Sequence, residues 1–452
     1  MVQNDTGGSH LMEKIKHAVF ENGLGEEVLF CVILISRFFW NAVFTVFVSP
    51  TGRDVRYFRR FILVTFFLAF ALMIGKGIVR LIRKQWEKPS LSSVFLACFC
   101  GFALFSSFVN YGTGIFHDET LYMNLLEMLL VTMCFYHYAH EMKESGLQKV
   151  LTITGYSVTA VTLFLGIASL AVYFFAKDQF SLFGTVFEKA ELFIIGHGDK
   201  PRYYGFFSYP TVAGFRVILA AVLSLHLVQK KKLPAVIAGV MLVISAIVIV
   251  LADARSGMIL LAVVLFFIAM RFLEEKAGMN RKKAVMTLLV PAFLVTVVLL
   301  FLKRDAVMGV LSAFSGNSQA DELILSSRGS MIQECIRMGC EKPFTGFGWH
   351  APILYLDNSH NLFGNILAWT GFPGLVLFLA FLVSAVLSFR KNKTLLFAHP
   401  YLLCLLICVF LQANLDKAIL GEMHNAETYL FWLCFGFFAL GTRKDRAERK
   451  GE

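Results

Sequence analysis

The chain has 452 residues, of which 57% are hydrophobic and 16% charged, and its formal net charge is +11. A water-soluble domain of this size cannot bury that much apolar surface, so the composition excludes a soluble globular protein and points to a bilayer. The positive charge then reads as basic loops flanking a membrane, not as a nucleic-acid surface.

A helix needs about 20 mostly apolar residues to cross a bilayer. Runs of that kind lie at 27–48, 59–79, 91–111, 120–139, 150–175, 209–228, 234–252, 256–273, 284–302, 361–389, 398–415 and 426–441. Lipid offers no partner to irregular backbone, so each run is expected to be a helix. The first run is too long for the apolar core of a cleavable signal peptide. The expected fold is an all-α polytopic membrane protein of about 12 transmembrane helices, with a large extracytoplasmic loop between helices 9 and 10. In chain order this gives a cytoplasmic segment over 1–26, helices 1–9 over 27–302 and the loop over 303–360. Helices 10–12 follow over 361–441, then a basic cytoplasmic tail over 442–452.

Orientation follows from Lys and Arg. Lys230–Lys232, Arg281–Lys283, the group Arg390, Lys391 and Lys393, and the tail from Arg443 to Lys450 all fall on one side, which is therefore cytoplasmic. One loop disagrees: Arg53, Arg56, Arg59 and Arg60 would lie outside. Two outward segments are long, 176–208 and 303–360, and long loops are usually functional. The second contains a helical stretch, DELILSSRGSMIQECIRMGCEK, whose apolar residues follow helical spacing and which could lie on the outer membrane surface. The nine cysteines show no zinc spacing, and Cys335 and Cys340 are expected to be unpaired.

Charges within apolar runs are costly and count as functional candidates. Arg37, Glu127 and Arg216 qualify, although each is also explained by a structural ion pair. The outer edge is richer, with Arg202 before helix 6, Arg255 opening helix 8, Arg328 in the large loop and His360 opening helix 10. Taken singly, each is bland: arginines snorkel at helix ends, and a His near a helix start can simply bond backbone while Asn358 or Ser359 caps. Together they place forked, permanently charged donors suited to phosphate beside an imidazole that exchanges a proton near neutral pH. No D-x-D occurs, so no obvious carboxylate pair would hold a metal against a diphosphate, and arginines would supply the charge instead.

These residues resemble the O-antigen ligase family and its relatives among polysaccharide polymerases and protein O-oligosaccharyltransferases. The ligase signature is His, then Asn, Ser or Gln, nine residues, Gly, two residues, then Gly, Thr or Tyr. His360-Asn361, Gly371 and Gly374 match it completely. Arg255 through Ile259 is similar to the family's R-x3-L, with Ile for Leu. Arg328 followed by Pro343, Gly346 and Gly348 resembles its Arg and P-x-x-G-x-G. RYYGFFSYP resembles its R-x-x-G-x-x-x-x-P.

The resemblance implies a glycosyltransferase of the bacterial cytoplasmic (inner) membrane, multi-pass, with its active site on the extracytoplasmic face. The implied donor is a glycan on undecaprenyl diphosphate, and the acceptor is a lipid A core, a growing glycan or a protein hydroxyl. The implied reaction is metal-independent and inverting, with no cofactor and no nucleic acid. His360, Arg255 and Arg328 would be catalytic, with His360 as base and the arginines as a diphosphate clamp. Arg202, Tyr209, Arg216 and Asn361 would bind substrate. The alternatives are a polysaccharide polymerase of the same superfamily and a lipid-glycan transporter or flippase. A transporter would show broken helices, midplane charges and repeated halves.

Overall fold

The computed structural model describes residues 24–39, 88–110, 144–182, 185–195, 201–207, 209–290, 327–349, 351, 359–415 and 426–441, with single positions inside 71–82 and 132–138. Its helices include α1 (Leu24–Phe39), α2 (Leu91–Val109), α3 (Glu144–Phe175), α4 (Pro210–Gln229), α5 (Ala235–Leu251), α6 (Arg255–Lys276) and α7 (Ser327–Glu341). Beyond these come α8 (Leu362–Phe389), α9 (Lys393–Ala398), α10 (Pro400–Leu415) and α11 (Ala426–Leu440). Among the described residues, α2, α3, α4, α6 and α8 are long and apolar enough to cross a membrane, and α5, α10 and Thr428–Leu440 are shorter apolar helices. The protein is a multi-pass, mostly helical membrane protein. The expected spans at 59–79, 120–139 and 284–302, the Arg53–Arg60 loop and the basic tail lie wholly or largely outside the described residues, as do Glu127 and the Arg37 side chain.

The sequence explains which helix sits in the middle. Helix α4 is apolar on all sides and buried along nearly its whole length, including Arg216, Ser224 and His226. Helix α5 divides its apolar residues between two faces. Ala238, Met241, Ile244, Ser245 and Val248 pack inward, while Val236, Val240, Val243, Ile247 and Val250 are exposed at helical spacing. An exposed stripe of Val and Ile fits acyl chains rather than water. Small residues let helices approach: a β-carbon on Gly214 of α4 would lie 2.8 Å from Cβ of Ala254, and one on Gly257 of α6 would lie 3.3 Å from Cα of Gly214.

The expectation of an all-α chain needs correction between α3 and α4. Two antiparallel hairpins stand there, β1 (Gln179–Leu182) with β2 (Thr185–Glu188), and β3 (Phe193–Ile195) with β4 (Pro201–Tyr203). Alternation over so few residues is too brief to read, and a tertiary bond fixes the second hairpin. Tyr203 of β4 is buried and its hydroxyl donates to the Ser169 carbonyl of α3 at 2.7 Å. Helix boundaries also shift. α3 begins at Glu144, not 150. Met331, Cys335 and Met338 of α7 are buried where the helix packs on α8, while Ile332 and Ile336 stay exposed.

Candidate active site

Helix α8 is broken by its own sequence. Pro373 has no N–H to give the Trp369 carbonyl, and Gly371 adopts φ 66°, ψ −170°, outside helical space. In an unbroken helix the N–H groups of residues 372 and 373 would bond the carbonyls of Ala368 and Trp369. The break therefore frees two carbonyls and the Phe372 N–H, which lipid would leave unsatisfied. The turn after α7 meets all three. Phe347 N–H donates to Ala368 at 2.9 Å, Gly348 N–H to Trp369 at 2.9 Å, and the Pro343 carbonyl accepts from Phe372 at 2.9 Å.

This approach has no room for side chains at its centre. Gly346 has φ 62°, and a β-carbon there would lie 2.4 Å from the Trp369 carbonyl carbon. P-x-x-G-x-G and the glycine of the ligase signature are thus two halves of one backbone seam. A broken helix is what a transporter would show, but here the loop occupies the freed groups.

The first half of the chain contributes to the seam, which sequence reasoning missed. Ser106 of α2 donates to the Trp369 carbonyl at 2.7 Å and also reaches the Thr345 carbonyl. Asn110 Nδ2 donates to the Gly346 carbonyl at 3.1 Å, and Lys342 Nζ donates to Asn110 Oδ1 at 2.7 Å. The only signal was a pair of serines and an asparagine within an otherwise apolar run.

Above the break, the start of α8 presents His360. Asn361 is the N-cap, its side chain accepting from Gly364 N–H at 2.8 Å, in place of the expected Ser359, and Asn358 lies outside the described residues. His360 is half-buried, with φ 55°, in the left-handed region that costs a residue with a β-carbon about 1–2 kcal/mol. Helix α7 runs in the same direction alongside. Cβ positions on Gly364 and Gly339 would meet Cys335 Sγ at 3.3 Å and Leu367 Cγ at 2.6 Å. From Cys335 back to Arg328 is about 10 Å of helix, which puts position 328 toward the His360 end of α8. The Arg328 side chain lies outside the described residues. Cys335 and Cys340 are both free, as expected. Burial pushes the Cys335 thiol up to about 11, so it offers no thiolate at neutral pH.

Arg202, Tyr209, Arg216 and Arg255 gather around the starts of α4 and α6. Arg202 is engaged with backbone. Its Nε donates to the Ala252 carbonyl at 3.0 Å and its Nη2 to the Asp253 carbonyl at 2.8 Å, so it caps the end of α5. The turn it holds, with Asp253 at φ 44°, delivers Arg255 as the first, exposed residue of α6. Tyr209 is the N-cap of α4, with Pro210 following, and its exposed ring stacks on Tyr204 at 6.4 Å. Arg216 is buried on α4 beside the Gly214 contact.

Chain direction puts both groups at one end of the bundle. The start of α10 lies at the far end of α4, where His399 and His226 ring centroids are 5.9 Å apart and Gln229 bonds the Ala398 carbonyl. Helix α10 therefore runs back toward the start of α4. Near its finish, Phe410 meets Phe363, three residues after His360, at 6.1 Å. His360, Asn361, Arg202, Tyr209 and Arg255 all stand at that end.

No curated protein matches the chain. Residues 240–379 match the family model for O-antigen ligase. That stretch, which is similar to the O-antigen ligase domain, carries Arg255, α7, the seam and His360.

Proposed function

We propose that the protein transfers a glycan from undecaprenyl diphosphate to an acceptor hydroxyl at the extracytoplasmic face of the cytoplasmic membrane. The observation that carries this reading is the placement of His360, held with positive φ at the head of α8, at the same bundle end as the exposed Arg255. In the reaction the acceptor oxygen bonds to the anomeric carbon from the side opposite the diphosphate. Its proton goes to the His360 imidazole, and the carbon–oxygen bond to undecaprenyl diphosphate breaks, inverting the centre.

The leaving group takes the electron pair as phosphate charge. Arg255 and Arg328 bind that charge, and the uncapped first turn of α6 adds N–H donors beside Arg255. Arg202 acts through the turn that positions Arg255, and Tyr209 offers an exposed ring to a sugar face. No metal is needed in this scheme, so transfer continues in excess chelator; loss of activity restored by magnesium or manganese would overturn that part.

The test uses the lipid-linked glycan that accumulates in cells lacking the protein, extracted as donor, with membranes of those cells as acceptor source. Folded His360→Ala should lose about 10²–10⁴-fold in single-turnover transfer and keep its affinity for undecaprenyl diphosphate. Near-normal turnover would refute the base assignment.

A further inference from the structure

Beneath His360, Asn365 of α8 is fully buried, yet it carries an amide where an apolar residue would pack without loss. Its Oδ1 lies 2.7 Å from Ser359 N and 2.7 Å from Ser359 Oγ. A backbone N–H can only donate, so the atom facing Ser359 is the oxygen. That leaves Nδ2, which is buried and has no hydrogen-bond partner among the described residues. A buried unpaired donor is destabilising, so the service rendered by the oxygen must explain the residue.

That service is to hold the turn on one side of His360. Ser359, itself buried, is tied to Asn365, and Asn361 on the other side is tied to Gly364 N–H at 2.8 Å. His360 is the strained residue between two pinned neighbours. With the Asn365 tie cut, the turn can relax toward negative φ and swing the imidazole away. We propose that Asn365 is a positioning residue that fixes His360 for proton removal, acting through Ser359 and touching no substrate. The proposal rests on His360 being the base.

The experiment compares full-length Asn365→Ala, Asn365→Asp and Ser359→Ala, each alone and with His360→Ala, in the single-turnover assay above. Undecaprenyl diphosphate affinity is measured alongside, and melting confirms folding. Asn365→Ala should lose about 10-fold or more in turnover with unchanged affinity, a loss within the range that misplacing a catalytic group produces. Asn365→Asp keeps an acceptor oxygen for Ser359 and should recover most of the rate. Neither substitution should slow the His360→Ala protein further, because groups that act as a unit are not additive. Ser359→Ala removes one of the two bonds and decides the matter if Asn365→Ala does not fold: it should lose several-fold, again only when His360 is present. Wild-type turnover in a folded Asn365 or Ser359 variant, or an equal further loss on His360→Ala, overturns the proposal. Full activity of His360→Ala itself is a different result and refutes the base instead.

Discussion

At the scale of single residues, the arginines divide into two kinds. Arg255 is exposed and bound to no carbonyl of the α5 turn, whereas Arg202 spends two donors on that turn. Arg255→Ala should therefore weaken affinity for undecaprenyl diphosphate, and Arg255→Lys should restore part of it, since an ammonium lacks the fork. Arg202→Lys should lower the melting temperature as well as donor affinity, because one ammonium cannot span both carbonyls as the fork does. Unchanged melting together with lost affinity would mean that Arg202 meets the donor directly. The sequence could show that these arginines lie near a helix end. It could not show that one binds backbone, because carbonyls 50 and 51 residues away leave no mark in composition or spacing. For His360 the sequence showed the type and place, but not the left-handed backbone or the support from Asn365.

At the scale of elements, the glycines of the seam are distinguished by what surrounds them. Gly346→Ala places a β-carbon against the α8 backbone at positive φ, where even the conformational cost is about 1–2 kcal/mol before any clash. Gly239 of α5 has nothing within 4 Å, and there alanine removes a helix-weakening residue. Melting in detergent should fall sharply for Gly346→Ala and hold or rise for Gly239→Ala. Equal melting of both would mean that the seam contributes little. The apolar helices among the described residues were legible because an apolar run of sufficient length is a direct physical requirement. The hairpins between α3 and α4 were not: their strands are only three or four residues long, and the second is tied to α3 through Tyr203 and Ser169. The part played by α2 was hidden because its partners, too, lie in other elements.

At the scale of the whole molecule, the end opposite His360 carries its own buried group. His399, between α9 and α10, meets Gln148 and Glu144 of α3, His226 of α4 and the Lys230 charge just past it. Burial first, and Lys230 second, lowers its imidazole from 6.5 to about 4. The Glu144 carboxylate is 3.6 Å away but 45% exposed, so water screens it. The folded chain thus keeps His399 neutral at pH values where the unfolded chain protonates it. This contribution is complete above pH 6.5 and is lost as the pH falls toward about 4. Melting followed from pH 7 to pH 4 should drop less steeply in His399→Gln than in the parent, and parallel curves would refute the assignment. The two ends also set topology. In a cysteine-depleted background, Asp178→Cys near the β hairpins should react with an impermeant thiol reagent from outside. Lys232→Cys, after α4, should react only once the membrane is broken. The reverse pattern would invert the orientation and remove the proposed chemistry from that face.

The backbone seam at Gly371 also bears on biogenesis. Ribosomal synthesis delivers α2 first, the Pro343–Gly348 turn more than 230 residues later, and the broken α8 last. Until the turn emerges Asn110 lacks the Gly346 carbonyl and Lys342, and until α8 emerges Ser106 lacks the Trp369 carbonyl. Until the turn docks, α8 has open peptide groups at the break and cannot rest alone among acyl chains. Insertion of α8 is therefore tied to the return of the loop that precedes it. A nascent chain halted just before residue 343 should remain exposed to quality-control proteolysis, and one released after α8 should become resistant in a single step.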